Sequence, residues 1–232
     1  MSGDPMVLDD AAAARLVAAG LLDIEAVHLR PDEPFTYTSG LKSPVYVDCR
    51  KVIAFPRLRR LIVSLMAGQI IARAGAEAFD AVAGGETAGI PYAAWLSDVL
   101  GLPMLYVRKK PKGFGRLAQI EGDFSAGARV LLVEDLATDG GSKITFVDAL
   151  RAAGASVAHC QVVFHHDVFP GSSSRLADAG VELHTLARWS DVLDVAKQRE
   201  ALSADDLTAV RAFLDDPYRW SGTRGGIDAQ SG

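Results

Sequence analysis

The sequence predicts a doubly wound α/β protein, a mainly parallel sheet flanked by helices, with a small N-terminal cap. Three observations carry that expectation. Val130, Leu131, Leu132 and Val133 stand in a row, the pattern of a strand buried on both faces of a parallel sheet. Short apolar runs alternate along the chain with stretches at the three-and-four spacing of a helix. The 232 residues, 49% hydrophobic and 23% charged, suffice for one domain that buries roughly 70% of its unfolded surface without a disulfide or a structural metal.

Taken in order, residues 1–55 fall outside the alternation and read as the cap. An alanine-rich helix over 9–19 is followed by Phe35-Thr36-Tyr37-Thr38-Ser39-Gly40 and a strand-like Pro44-Val45-Tyr46-Val47. The α/β core spans 56–200. A helix is expected over 57–73, where Leu58, Leu61, Ile62, Leu65, Met66 and Ile70 form one stripe behind Pro56. Next come a strand over 79–85, a helix over 87–100 stopped by Gly101 and Pro103, and a strand over 103–107. A loop over 108–120 precedes the strand at 129–133. A Gly-Gly-Ser turn, a helix over 143–153 and strands over 157–164 and 181–186 complete the core. In the C-terminal part, 201–232, a Ser-x-x-Asp signal opens a helix over 203–214, and the tail after Trp220 reads as loose.

The formal charge of −5 argues against a general nucleic-acid or acidic-membrane binder, so neither nucleic acid nor a membrane is expected as a partner. Cys49 and Cys160 show no metal-ligand spacing and are expected reduced and buried. The start Met1-Ser2-Gly3-Asp4 lacks the basic residues of a signal peptide. The most apolar stretch, 61–72, lies between Arg60 and Arg73, too short to span a bilayer. A cytoplasmic location follows as the expectation.

The segment Val130-Leu131-Leu132-Val133-Glu134-Asp135-Leu136-Ala137-Thr138-Asp139-Gly140-Gly141-Ser142 carries most chemical information. In an open parallel sheet, ligands bind beyond the carboxyl ends of the strands, where two carboxylates stand here. Carboxylates accept hydrogen bonds from vicinal hydroxyls. Thr138, Gly140, Gly141 and Ser142 add hydroxyls and unhindered N–H groups at a helix N-terminus, an anion site. Together they describe a ribose phosphate. The acidic pair alone is as compatible with a metal or a turn, and the full pattern favours the sugar phosphate. The Gly-x-x-x-x-Gly-Lys-Ser/Thr order of a triphosphatase loop is missing.

Arg108, Lys109, Lys110, Lys112 and Arg116 place five positive charges among nine residues, leaving about −10 on the rest of the chain. A solvated charge run is the bland reading. Gly113 and Gly115 favour a lid that closes over a diphosphate and reopens.

The thirteen residues from Val130 to Ser142 resemble the phosphoribosyl diphosphate (PRPP) motif of type I phosphoribosyltransferases. Within that group, four segments resemble the orotate phosphoribosyltransferase family: Phe35-Thr36-Tyr37-Thr38-Ser39-Gly40-Leu41-Lys42-Ser43-Pro44, Val82-Ala83-Gly84-Gly85-Glu86-Thr87-Ala88-Gly89-Ile90-Pro91, the basic loop from Tyr106 to Gly115, and Gln119-Ile120-Glu121-Gly122. The resemblance implies the type I phosphoribosyltransferase fold and Mg²⁺-dependent transfer of ribose 5-phosphate from PRPP to orotate, giving orotidine 5'-monophosphate and diphosphate. It implies Mg²⁺ held by substrate oxygens and water, with no protein metal ligands, and a homodimer whose loop is shared. Arg108 and Lys112 would act in their own site, Lys109 across the dimer, and Asp135 beside the reacting ring. PRPP would further meet Glu134, Leu136, Ala137, Thr138, Asp139, Gly140, Gly141 and Ser142, with Gly84, Gly85, Glu86 and Thr87 at the diphosphate. Orotate would meet Thr138, Ser39, Gly40, Lys42 and His166.

The chain departs from the better-known pattern at four places. Phe114 replaces a loop His, Thr38 a Lys, Ala88 a basic residue, and His166 the Arg that binds the orotate carboxylate. Lys42 is the candidate replacement for that contact. His165-His166-Asp167 is disfavoured as a metal cluster, because adjacent strand residues face opposite ways. Two other readings keep PRPP: transfer to a purine base, against which the Ser-Gly-x-x-Ser-Pro segment speaks, and a non-catalytic PRPP-sensing regulator, against which the complete basic loop speaks.

Overall fold

A computed structural model describes residues 8–37, 39–113, 119–138, 140–169 and 171–228. Thr38, Phe114, Gly115, Arg116 and Asp139, singled out above, lie outside the described residues.

Helix α1 (Asp10–Asp23) begins where the Asp9 carboxylate accepts the Ala12 N–H at 2.6 Å, satisfying one donor that a helix start leaves open. It runs past the expected end at residue 19 because Leu21 continues the buried stripe of Ala14, Val17 and Ala18. The rest of the cap is four short strands and a 3₁₀ turn. β1 (Val27–Leu29) pairs antiparallel with β4 (Val45–Val47), and β2 (Phe35–Thr36) with β3 (Lys42–Ser43). The turn, Cys49–Ala54, leads into α2 (Pro56–Ala74). Pro56 fits the first turn of α2 because no backbone N–H is needed there. The buried stripe of α2 is centred on Ile62, Met66 and Ile70, with Leu58 and Leu65 at its margin.

The core then alternates strand and helix: β5 (Ala81–Gly85), α3 (Gly89–Leu100), β6 (Met104–Val107), β7 (Ile120–Glu121), β8 (Arg129–Ala137), α4 (Gly141–Ala152), β9 (Ser156–His165), α5 (Ser172–Asp178), β10 (Glu182–Arg188) and α6 (Trp189–Gln198). The sequence predicts this alternation but not β7 or α6, and β8 runs past the expected end at residue 133. The sheet order is β10-β9-β8-β5-β6-β7, parallel except for β7 at one edge. The chain leaves β5 towards β6 and then returns to add β8 on the other side, so connection order reverses between β5 and β8. In doubly wound sheets such a reversal opens a crevice at the strand ends.

Two cores cover the two faces. Leu131 and Val133 enter the larger one, with α1, α2 and α6; Val130 and Leu132 enter the smaller, with α4 and α5. All four are at most 1% exposed, each contributing roughly 1.5–3 kcal/mol by burial. The run of four aliphatics is thus alternation between two buried faces.

Beyond α6, helix α7 (Ala204–Asp215) starts at Ser203, whose hydroxyl accepts the Asp206 N–H at 3.1 Å. The tail differs from expectation. Through residue 228 it is folded: α8 (Pro217–Gly222) buries Trp220 edge-on against Phe213, and Arg224 lies over the Trp220 ring. Trp220 and Ser221 supply burial that the Gly-rich composition around them conceals. Cys49 and Cys160 are free and buried. Among the described residues no helix is long and apolar enough to cross a membrane.

Candidate active site

A cleft of about 1100 Å³ opens at the carboxyl ends of β5 and β8. That slightly exceeds the roughly 300–1,000 Å³ typical of a single small ligand and leaves room for two substrates side by side.

Glu134 and Asp135 both line it, though as neighbours on a strand they leave the sheet on opposite faces. Asp135 turns towards the cap. It is 8% exposed, and burial raises its pKa against the pull of Lys143 and Arg50. Glu134 turns the other way, between Gly85, Gly89 and the Phe146 ring. A Cβ at Gly85 or Gly89 would collide with its Oε1. Its Oε2 lies 3.4 Å from Lys143 Nζ, and its Oε1 has no hydrogen-bond partner. Burial pushes the Glu134 pKa up to about 7 although Lys143 pulls it down.

The turn after β8 makes the anion site. Gly140 adopts φ 80° at the N-cap of α4, a left-handed conformation that suits glycine. Its carbonyl accepts from the Lys143 and Ile144 N–H groups. Thr138 and Ser142 line the cleft at this helix start, as does Leu136, while Ala137 is buried behind them. The N-terminus of a 12-residue helix therefore faces the cleft with two hydroxyls beside it.

Across the cleft, Gly84 and Gly85 end β5. A Cβ on Gly84 would meet the Gly89 carbonyl oxygen at 2.6 Å, because the following loop folds back over the strand end. The Glu86–Thr87 peptide is cis. Glu86 and Ala88 line the cleft and Thr87 does not. The Glu86 carboxylate accepts the Lys109 N–H at 2.8 Å and so anchors the start of the basic loop. The loop base is clamped again: Arg108 donates through Nε to Glu121 at 2.8 Å, and Arg108 and Gln119 exchange two bonds of 2.8 Å. Lys109 lines the cleft of its own chain. Arg108, turned to Glu121, and Lys112 do not.

From the cap, Tyr37 and Ser39 line the cleft, but Gly40 and Lys42 do not. Strand alternation sends Lys42 away: its Nζ donates to the Arg224 carbonyl at 2.6 Å and its N–H to Ser221 at 3.0 Å. Lys42 thus ties down the C-terminal segment and is not brought to the cleft. His166 is brought there, at the end of β9. Trp189 Nε1 donates to its Nδ1 at 3.2 Å, which leaves the proton of the neutral ring on Nε2. Burial, with His165 and Lys143 nearby, lowers its pKa to about 3. It therefore offers a neutral donor where the resemblance expects a cation.

Several lining residues escaped the sequence reading: Arg50, Phe146, Phe169, Arg175, Tyr218 and Ile227. Tyr218 and Ile227 come from the folded tail. The Asp216-Pro217 pair was the available signal, since Asp216 caps Arg219 N–H and Pro217 opens α8. Arg50 lies at the start of the 3₁₀ turn, held by Asp48 at 2.7 Å, and no motif marks it.

The family model for the phosphoribosyl transferase domain matches residues 58–181. An orotate phosphoribosyltransferase of Cereibacter sphaeroides is 56% identical over 211 residues, 91% of each chain. Among solved structures, orotate phosphoribosyltransferase from Aeropyrum pernix superposes with a TM-score of 0.67 at 31% identity, over 81% of this chain and 99% of that one. UMP synthase of Leishmania donovani gives 0.74 at 27% identity, over 88% of this chain, which spans 42% of that longer protein.

Proposed function

The chain belongs to the orotate phosphoribosyltransferase family, and from that premise we propose how its own residues divide the reaction. The enzyme transfers ribose 5-phosphate from PRPP to orotate, a step of pyrimidine biosynthesis. The observation that carries the assignment of roles is the meeting, in one cleft, of Asp135, Thr138 and Ser142 from the β8–α4 turn, Glu86 and Lys109 from across the reversal point, and Tyr37 and Ser39 from the cap.

Displacing diphosphate builds positive charge on the ribose ring and negative charge on the leaving group. Fixed groups that meet those charges as they form lower the barrier. Asp135 accepts the ribose hydroxyls and favours the cationic ring, while Glu134 lines the cleft from the other face of β8 beside Phe146. Thr138, Ser142 and the α4 N-terminus hold the 5'-phosphate. The backbone following Gly85 faces the diphosphate; when the loop closes, Arg108 and Lys112 of the same chain join it, and Lys109 reaches it from the partner subunit. On the acceptor side, His166 donates from Nε2 to orotate.

Mg²⁺ fits this donor set. Glu86 and Asp135 offer hard carboxylate oxygens at the cleft, the kind of donor suited to an ion that keeps several waters and binds substrate phosphates. Its contacts to Glu86 and Asp135 would pass through water, and it would neutralise part of the diphosphate charge. We further read the protein as a cytoplasmic homodimer that shares its basic loop. What supports sharing is the family pattern; in the single chain Lys109 lines its own cleft.

The test of the roles is steady-state kinetics. Asp135→Asn should lower kcat by about a hundredfold or more with a small change in the orotate KM. Thr138→Val should raise the PRPP KM. Full kcat in Asp135→Asn would reject the placement of the ribose.

A further inference from the structure

A second constellation sits at the opposite end of the sheet. In the parallel pairing of β9 with β10, His159 stands beside Glu182 and Gln161 beside His184. Residues in register on adjacent strands, and residues two apart on one strand, share a face. His159, Glu182 and His184 therefore converge on the face that α1 and α2 cover. His159 Nδ1 lies 3.0 Å from His184 Nε2 and 3.6 Å from Glu182 Oε2. One ligand atom from each of the three lies within 4.8 Å of the others.

We propose that His159, Glu182 and His184 form a site for a borderline divalent transition-metal ion such as Zn²⁺, which clips edge strand β10 to β9. At metal–ligand distances of 2.0–2.2 Å, tetrahedral ligand atoms stand roughly 3.3–3.5 Å apart, and the observed 3.0 and 3.6 Å bracket that spacing. Two imidazoles and one carboxylate are a donor set for zinc, cobalt, nickel or copper, whereas Mg²⁺ prefers all-oxygen surroundings. Burial is graded suitably: His184 is 3% exposed, His159 is half-buried, and Glu182 is exposed, which leaves a fourth position open to water.

The surroundings hold the ligands in place. Phe79 packs edge-on against the His159 ring at 5.5 Å. Arg73, a cation close enough to act on His184, is paired with Asp10, so its charge is balanced. The site is separate from the cleft. His159 precedes the cleft end of β9 at His165 by six residues, about 20 Å at roughly 3.3 Å per residue. An ion that binds the folded and not the unfolded pairing stabilises the edge by mass action.

The experiment titrates Zn²⁺ into chelator-treated protein by calorimetry, with excess Mg²⁺ present to occupy hard oxygen sites. The expected result is one tight equivalent per chain, weakened at least about tenfold in Glu182→Gln and lost in His159→Asn/Glu182→Gln. Zn²⁺ should raise Tm in the wild type and not in the double variant, while orotate turnover stays unchanged in both variants, which verifies that they fold. Histidine NMR separates this site from others: the His159 and His184 ring signals should move with one equivalent of Zn²⁺ while those of His166 stay. Zn²⁺ binding of equal strength in the variants, no tight equivalent in the wild type, or unmoved His159 and His184 signals would each overturn the proposal.

Discussion

Lys143 Nζ lies 3.4 Å from Glu134 Oε2, and both residues are buried beneath the turn that joins β8 to α4. A buried carboxylate resists ionisation, and the ammonium group supplies the charge that opposes this. The balance leaves Glu134 with a pKa of about 7.

Stability should therefore depend on pH through this pair. The folded-state pKa of Glu134 is raised, so its stabilising contribution is complete below the ordinary value of 4.5 and is lost as pH rises through about 7. The size is on the order of 3 kcal/mol. Urea unfolding from pH 5 to 8 should show the decline in the wild type and a flatter profile in Glu134→Gln. Lys143→Met, which removes the opposing charge, should move the decline to higher pH. Identical profiles in all three proteins would contradict this.

His166 should remain neutral from pH 5.5 to 8, because burial holds its pKa near 3. Its ring NMR signals should report the Nε2–H form without titrating from pH 5.5 to 8. Removing one neutral donor costs about 1 kcal/mol, so His166→Leu should raise the orotate KM by roughly five- to tenfold and leave the PRPP KM nearly unchanged. A titration near neutrality would show that the ring is charged and solvated.

Loop sharing is measurable by mixing. Lys109→Ala and Asp135→Asn, each nearly inactive alone, should recover up to about a quarter of wild-type activity after subunit exchange, since half of the dimers formed would hold one intact site. Recovery requires the loop to cross the dimer. Without recovery, Lys109 acts on the cleft of its own chain, which it lines here.

What the sequence made legible follows from what makes a local signal. Val130 to Val133 announced a two-face strand, and the Gly-Gly-Ser turn announced a helix N-terminus, because strand periodicity and glycine geometry are local properties. The pairing of Glu134 with Lys143 was not legible: Lys143 reads as an ordinary first-turn helix residue until burial is known. Lys42 misled for a similar reason. It sits next to Leu41 in a binding segment, yet Leu41 lines the cleft while Lys42, the first residue of β3, reaches the tail. Tyr218 and Ile227 reach the cleft through Trp220 burial, a tertiary effect that a glycine-rich tail hides. The meeting of His159 with His184 depends on strand register, which no sequence spacing encodes.

The most direct measurement is consumption of the base itself. Loss of orotate absorbance should be followed with PRPP and Mg²⁺ for the wild-type protein, beside parallel reactions with hypoxanthine and uracil. Orotate consumed in step with PRPP, and neither other base turned over, is the expected result. Turnover of hypoxanthine with orotate untouched would contradict it.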